Sequence, residues 1–174
     1  MIAAVDSGPL IALAKIRALD LLCDLYGQVF TGPAVYTECV TAGLAMEAPD
    51  AAVLQEAYQY GHLVVRVPAS AVLTYPAGLH DGEAESIRLA IELSADWLLM
   101  DDLDARRIAQ RNILAAGIST GLKGTLGVIV TAACAGVIRP GRAAELVGEL
   151  KNRRDVWLDA SLCDATIKTL LPPD

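Results

Sequence analysis

Short apolar runs alternate along the chain with longer stretches in which apolar residues recur every three or four positions. The apolar runs predict β-strands, which are expected at residues 2–5, 28–30, 63–67, 97–100 and 117–120. The longer stretches predict helices, several of which open on a proline or a capping residue. These helices are expected at residues 7–26 with a break near 15–17, and at 33–42, 50–60, 81–94, 102–116, 123–135, 142–151 and 160–171.

The alternation of strands and helices predicts an α/β protein in which helices cover both faces of a short parallel sheet, a three-layer α/β/α sandwich. No linker divides the chain, so residues 1–174 are expected to form one domain with a C-terminal helical extension from about residue 140. Residues 69–78 are expected to form a flexible loop, because Pro68, Pro76 and Gly78 interrupt any regular element there.

Composition narrows the classes of protein that the chain can belong to. A hydrophobic fraction of 54% excludes a largely disordered chain. The net charge of −7 argues against a protein that holds nucleic acid by bulk positive charge, but it is compatible with a metal-dependent nuclease, whose site is itself acidic. Four cysteines without CxxC spacing are expected to be buried and reduced, as in the cytoplasm. Neither a signal peptide nor a membrane span is expected.

Acidic residues directly follow two of the predicted strands. Asp6 ends the first, and Asp101 and Asp102 end the strand at 97–100. In an open parallel sheet, ligands bind at the carboxyl ends of the strands. A charge beside a buried strand needs compensation from a helix N-terminus or a metal ion. Two interpretations are therefore open, namely helix caps at Ser7 and Asp102 or a ligand site at this edge of the sheet.

Helical geometry adds two glutamates to these acids. Glu83 shares the apolar face of its predicted helix, where it either points toward a cleft or complements the helix dipole. Glu85 falls on the opposite face and is expected to be solvated. Glu38 lies in an otherwise apolar stripe, where a carboxylate needs a partner unless it reaches solvent at the edge of the stripe.

Convergence of Asp6, Glu38, Glu83 and Asp102 would require a cation, since the mutual repulsion of the carboxylates otherwise raises some of their pKa values. Oxygen ligands without His or Cys suit Mg²⁺ or Mn²⁺. Such ions bind a phosphodiester, activate water and stabilise the leaving oxygen. The acids thus predict the chemistry of a nuclease or a phosphatase.

Five stretches, in this order and spacing, resemble the PIN-domain ribonuclease superfamily, and specifically a prokaryotic PIN-like branch related to the VapC-type toxins. They are VDSGPLIAL (5–13), TGPAVYTECV (31–40), GEAESIRLAIEL (82–93), LLMDDLDARRIA (98–109) and GTLGVIVTA (124–132). The resemblance implies a PIN-like α/β/α sandwich and metal-dependent hydrolysis of RNA by an acidic cluster. It also implies RNA as the substrate, a small antitoxin protein as a partner and a possible homodimer.

Position by position, the resemblance assigns the four acids of the family to this chain. The expected catalytic residues are Asp6, Glu38, Glu83 and Asp102. The expected ligands of Mg²⁺ or Mn²⁺ are Asp6, Asp101, Asp102 and Glu83, because Asp101 competes with Asp102 for the fourth position. Ser7 holds the hydroxyl position beside the first acid.

Two positions depart from the family pattern. The third acid is more often Asp than Glu83, and Met100 stands where Thr or Ser usually precedes the fourth acid. The alternative function is therefore a catalytically weak or inactive PIN-like binding module that acts through a protein partner.

Substrate contacts are expected from cationic side chains near the acids. Arg106 and Arg107, just after the acidic pair, are expected to position RNA phosphates, and a solvated helix face is the alternative. Lys123 lies in the glycine-rich segment 117–127, which either contacts a phosphate or packs closely through its glycines. Ser7, Arg106 and Lys123 make up the expected substrate-binding set.

Overall fold

The computed structural model describes residues 1–69 and 78–171. The predicted flexible loop at 69–78 therefore lies almost entirely outside the described residues. In the described part of the chain, no helix is long and apolar enough to cross a membrane.

Five strands form one parallel sheet in the described residues. They are β1 (Ile2–Val5), β2 (Gln28–Thr31), β3 (Val64–Val65), β4 (Trp97–Leu99) and β5 (Gly121–Lys123). The spatial order is β3-β2-β1-β4-β5, with Ala4 of the central strand opposite Phe30 on one side and Leu98 on the other. Because every pairing is parallel, the carboxyl ends of all these strands meet at one edge of the sheet.

Helices connect the strands and cover both faces of the sheet. Their bounds are α1 (Ser7–Lys15), α2 (Asp20–Tyr26), α3 (Pro33–Tyr36), a π-helical segment (Thr37–Ala42), α4 (Gly43–Ala45), α5 (Pro49–Gln59), α6 (Asp81–Glu92), α7 (Leu103–Ala115), α8 (Thr125–Cys134), α9 (Pro140–Asn152) and α10 (Ala160–Leu170). Helices α3, α5 and α9 each begin with a proline, whose missing N–H is not needed in a first turn.

Alternation along the central strands divides the core between the two faces. Ala3 and Val5 of β1 pack with α1, α2, α5 and α8–α10, whereas Ala4 packs with α6 and α7. Successive side chains of a strand point to opposite faces, so a fully apolar strand fills both cores. The predicted three-layer α/β/α fold is confirmed.

The prediction of a strand at 117–120 is wrong. Helix α7 ends at Ala115, and Gly117 takes a left-handed backbone conformation with φ of 68°. The strand that joins the sheet is β5, in which Gly121 pairs with Trp97 and Lys123 with Leu99. Position 121 tolerates only glycine, because a Cβ there would lie 2.6 Å from Cε3 of the Trp97 ring.

The predicted C-terminal extension packs against the rest of the protein. Ala143, Val147 and Leu150 of α9 and Cys163 of α10 belong to the same core as β1 and α1. A polar contact also ties this region to α1, since Lys15 Nζ donates to Asp155 Oδ2 at 2.7 Å.

Candidate active site

Asp6 is the buried acid at the centre of the sheet edge. It follows β1 directly, its amide donates to the Leu99 carbonyl at 3.0 Å, and only 5% of its surface is exposed. Asp6 also occupies the cap position of α1, but its side chain makes no capping hydrogen bond, and Ser7 is the first helical residue. The prediction of Ser7 as the cap is therefore wrong. Within the described residues Oδ1 of Asp6 is buried without a hydrogen-bond partner.

Three other carboxylates surround Asp6. The pKa of Asp6 is raised from 3.8 to about 7. Burial is the largest cause, and repulsion by the charges of Glu83, Glu38 and Asp101 adds to it, while the hydrogen bond with the Ser7 amide opposes them. Residues separated by almost a hundred positions in the sequence thus act electrostatically on one buried carboxyl group.

The start of α6 is where Asp6 and Glu38 meet. A Cβ on Gly82 would lie 3.5 Å from Asp6 Oδ1 and 3.7 Å from Glu38 Oε2, so the two carboxylates face the same glycine. Glu38 is exposed and lies in the π-helical segment, a widened turn that occurs frequently at functional sites. Its neighbour Cys39 is buried, which places Glu38 at the solvent edge of the apolar stripe.

Glu83 and Glu85 of α6 make different contacts. Glu83 is half-buried, and its Oε2 accepts a hydrogen bond from the His80 amide at 2.9 Å, which satisfies a free N–H at the start of its own helix. The prediction that Glu85 is solvated is wrong. Glu85 Oε2 accepts from the Ala34 amide at 2.7 Å, so this carboxylate caps α3 across the sheet edge.

Asp101 and Asp102 are neighbours in sequence but differ in environment. Asp102 is exposed and caps α7, with Oδ1 accepting from the Asp104 and Ala105 amides at 2.9 and 2.7 Å. Asp101 instead accepts from the amide and the hydroxyl of Thr125 at 2.7 and 2.6 Å. The charge of Asp101 acts on Asp6, whereas Asp102 caps α7; which of the two takes the fourth catalytic position stays a prediction.

Opposing effects act on the ionisation of Asp101. Burial raises its pKa, while the two hydrogen bonds from Thr125 and the positive charge of Arg106 lower it. The close approach of the β5–α8 turn makes these bonds possible, because a Cβ on Gly124 would lie 2.7 Å from Asp101 Oδ1. Gly124 and Thr125 are therefore supporting residues that the sequence interpretation did not single out, although they open the quoted GTLGVIVTA motif.

Arg106 and Lys123 border the same cleft but are held differently. Arg106 is half-buried, and its positive charge lowers the pKa of Asp101. Lys123 donates from Nζ to Thr131 Oγ1 at 2.8 Å and lies 3.5 Å from the centroid of the Trp97 ring. These contacts give Lys123 a packing role, and its contact with substrate remains a prediction.

An open cleft of about 950 Å³ is lined by three of the acids, Glu38, Asp101 and Asp102. Its other lining residues are polar or charged side chains, among them Ser7, Arg106, Asp155 and Asp159, and apolar ones, among them Ile11, Val130, Val156, Trp157 and Leu162. Trp157 lies in the segment between α9 and α10 and is 95% exposed. The sequence interpretation passed over this residue, although a tryptophan in a polar segment that follows a basic run was a visible signal.

A family model described as DUF3368, a PIN domain, matches residues 2–171. The chain belongs to this PIN-domain family. PIN domains are generally nucleases, and they generally use divalent metal ions. No curated protein and no solved structure matches the chain.

The acids of this PIN domain fit a divalent cation by chemistry but are not arranged as a finished ligand shell. Asp6 Oδ1 is a buried carboxylate oxygen with no hydrogen-bond partner among the described residues, and three further carboxylates face it. Within residues 1–69 and 78–171, however, no group of three His, Cys, Asp or Glu side chains has the geometry to hold a metal ion. The contacts explain this, since Glu83 and Asp101 are engaged with His80 and Thr125.

Proposed function

We propose that this PIN domain is a metal-dependent ribonuclease that hydrolyses RNA phosphodiesters through its acidic cluster. The observation that carries the proposal is Asp6, a buried carboxyl group with an unpartnered oxygen that faces Glu38, Glu83 and Asp101. Such a concentration of like charge is unfavourable unless a proton or a cation neutralises part of it. Divalent cations with oxygen ligands supply that compensation.

Each acid has a defined task in this proposal. A divalent cation held by these acids, Mg²⁺ or Mn²⁺, would supply a water of lowered pKa and would neutralise charge on the phosphate. Asp6, which is buried, and Asp101, which is half-buried, would hold the cation, since they follow neighbouring strands at one edge of the sheet. Glu38 lines the cleft and Glu83 lies half-buried at the start of α6, and these two carboxylates would accept the proton of the attacking water or orient it. Arg106 lines the cleft beside Asp101 and binds the phosphate of the substrate.

The proposal extends to the biological setting through the family resemblance. The protein would act on RNA in the cytoplasm, as the toxin of a toxin–antitoxin pair. A small antitoxin is the expected partner, and a second copy of the chain is a further one. The apolar residues that line the cleft, among them the exposed Trp157, support a protein partner, because exposed apolar clefts commonly mark interaction sites.

A specific observation favours the alternative, a PIN-like module with weak or no catalysis. Asp101 and Asp102 both accept hydrogen bonds from backbone amides at helix N-termini, and Glu83 accepts one at the start of α6. Carboxylates fixed in this way stabilise the fold without a metal ion. Under this alternative, the module acts through its protein partner.

A cleavage assay separates the two functions. Labelled single-stranded RNA is incubated with the purified protein and Mn²⁺ or Mg²⁺, with EDTA as a blank. The matched variants are Asp6→Asn at the site and Asp24→Asn on α2, an exposed aspartate beyond the opposite edge of the sheet. We expect Asp6→Asn to lower cleavage by at least about 100-fold, as the loss of a central charge at an active site does, and Asp24→Asn to leave it unchanged.

Calorimetric titration with Mn²⁺ measures metal binding independently of RNA cleavage. Metal binding that Asp6→Asn abolishes, together with cleavage, supports the ribonuclease. Equal cleavage by the native protein and Asp6→Asn would point to a contaminating nuclease and refute the proposal. Absence of both cleavage and Mn²⁺ binding would leave the binding module as the function.

A further inference from the structure

A second cavity adjoins the acidic cleft, and the two share Leu103, Arg106 and Leu122 as lining residues. The second cavity has a volume of about 490 Å³ and opens between α7 and β5. Its lining residues are Leu103, Arg106, Arg107, Gln110, Ile113, Thr120 and Leu122. Arg106 lines both cavities, so the second one is adjacent to the acids.

The polar groups of this cavity are hydrogen-bond donors of the kind that bind phosphate. Two guanidinium groups and the amide of Gln110 offer N–H donors, and none of the described residues that line the cavity is acidic. Thr120 Oγ1 is buried and has no hydrogen-bond partner in the described part of the chain. A buried hydroxyl without a partner is unfavourable unless a ligand or water completes it.

The guanidinium of Arg107 is available to a ligand. Arg107 Nη1 donates to Asp104 Oδ1 at 2.6 Å, but the two side chains are 72% and 84% exposed. Exposed ion pairs of this kind contribute little, so a phosphate of higher charge density can replace Asp104. Arg107 and Arg106 present planar forks of donors, which match the oxygens of a phosphate group.

We propose that this cavity, named here the arginine pocket, binds a phosphate group of a nucleic acid strand adjacent to the one that is hydrolysed. The inference rests on the proposed function, because it takes RNA as the source of the phosphate. A local cationic pocket is needed because the net charge of −7 repels RNA as a whole. Arg106 then contacts two successive phosphates, one in the acidic cleft and one in the arginine pocket. Such contacts fix the register of the strand without reading its sequence.

RNA binding without turnover is the first test. Anisotropy of a fluorescent single-stranded RNA is measured in EDTA over a range of salt concentrations. We expect Arg107→Gln to weaken binding about tenfold and to reduce the slope of log K against log salt by about 0.7. The control is Arg142→Gln on α9. This substitution also breaks an exposed ion pair between residues three positions apart on one helix, since Arg142 Nη1 lies 3.0 Å from Glu145 Oε2. Both measurements should be unchanged by the control.

Inorganic phosphate is the second probe, because it reads the arginine pocket without RNA. In nitrogen-edited NMR spectra, phosphate should shift the Thr120 backbone amide and the Gln110 side-chain amide to saturation, and the shifts should be lost in Arg107→Gln but kept in Arg142→Gln. Phosphate shifts without any RNA binding would overturn RNA as the source of the phosphate and would count against the ribonuclease. RNA binding that Arg107→Gln and Arg142→Gln affect equally, with no phosphate shift at Thr120, would overturn the arginine pocket while the ribonuclease stands.

Discussion

Replacing Asp6 with Asn should stabilise the metal-free protein, and increasingly so as the pH rises. Burial and the neighbouring carboxylates raise the pKa of Asp6 to about 7 in the folded protein, against 3.8 in the unfolded chain. Below 3.8 the carboxyl group is protonated in both states and contributes no pH dependence. Between 3.8 and 7 the folded protein keeps a proton that the unfolded chain has lost, so stability falls as the pH rises. Above pH 7 Asp6 is ionised in both states, and the loss of stability caused by its buried charge no longer grows with pH.

The size of the effect follows from the width of that pH interval. Each unit of difference between the folded and unfolded pKa corresponds to about 1.36 kcal/mol. The ionised Asp6 therefore lowers the free energy of unfolding by at most about 4 kcal/mol at pH 8. Relaxation around the ionised carboxylate and entry of water reduce this value, so we expect a difference of about 2–4 kcal/mol. An asparagine has nearly the same shape and carries no charge toward Glu38, Glu83 or Asp101, which isolates the electrostatic effect.

Urea unfolding in EDTA measures this difference. The free energy of unfolding of the native protein and of Asp6→Asn is determined from pH 4 to pH 8.5, and the difference between them is plotted against pH. The difference should rise through the interval and level off near neutrality. Asp102→Asn serves as the control, because Asp102 is exposed and Asn is an equally good helix cap.

Addition of Mn²⁺ should reverse the order of stability. A ligand that binds only the folded state adds RT ln(1 + [L]/Kd), and only the native protein retains the full set of carboxylates. Two results would refute the reasoning. One is a difference between the native protein and Asp6→Asn that stays flat with pH. The other is a variant that is less stable than the native protein at pH 8 in EDTA.

Three further changes test the residues that support the site and the C-terminal region. Thr125→Val removes the hydroxyl that donates to Asp101 and should lower the free energy of unfolding by about 1–3 kcal/mol in urea titration; no change would show that this bond is dispensable. Gly124→Ala places a Cβ 2.7 Å from Asp101 Oδ1, so we expect a loss of about 1–3 kcal/mol and weaker Mn²⁺ binding by calorimetry, and unaltered binding would contradict the geometry. Asp155 has a lowered pKa because two cationic side chains hydrogen-bond to it. Its contribution, about 0.5–1 kcal/mol for a half-exposed group, is present above its unfolded pKa near 3.8 and is lost as the pH falls through its lower folded value. Asp155→Asn should therefore match the native protein in acid unfolding and differ from it at pH 7.

Helices and central strands of this protein were predictable because their signals are local. The apolar run at 2–5 reads as a strand wherever it lies, and the break near residues 15–17 marks the end of α1. The strand β5 was misplaced by four residues, because Gly121 and Lys123 carry no apolar signal of their own. They form a strand only because the β4 backbone and the Trp97 ring lie beside them.

The site was predictable in part for the same reason. Strand ends in a parallel sheet must meet at one edge, so Asp6 and the acidic pair at 101–102 had to be near one another. Which of the pair faces Asp6 could not be predicted, because it depends on how the Thr125 turn approaches Asp101. The position of Glu85 was misjudged because the free N–H of Ala34 comes from a distant part of the chain.

By itself, the sequence determined the order of the elements, the parallel α/β architecture and the presence of acids at the strand ends, since periodicity and strand polarity depend on neighbouring residues alone. The tertiary structure decided which carboxylates are buried, which ones cap helices and which ones face each other. Those properties depend on distances between segments far apart in the chain, and the free energy of a buried charge depends on every group that packs around it.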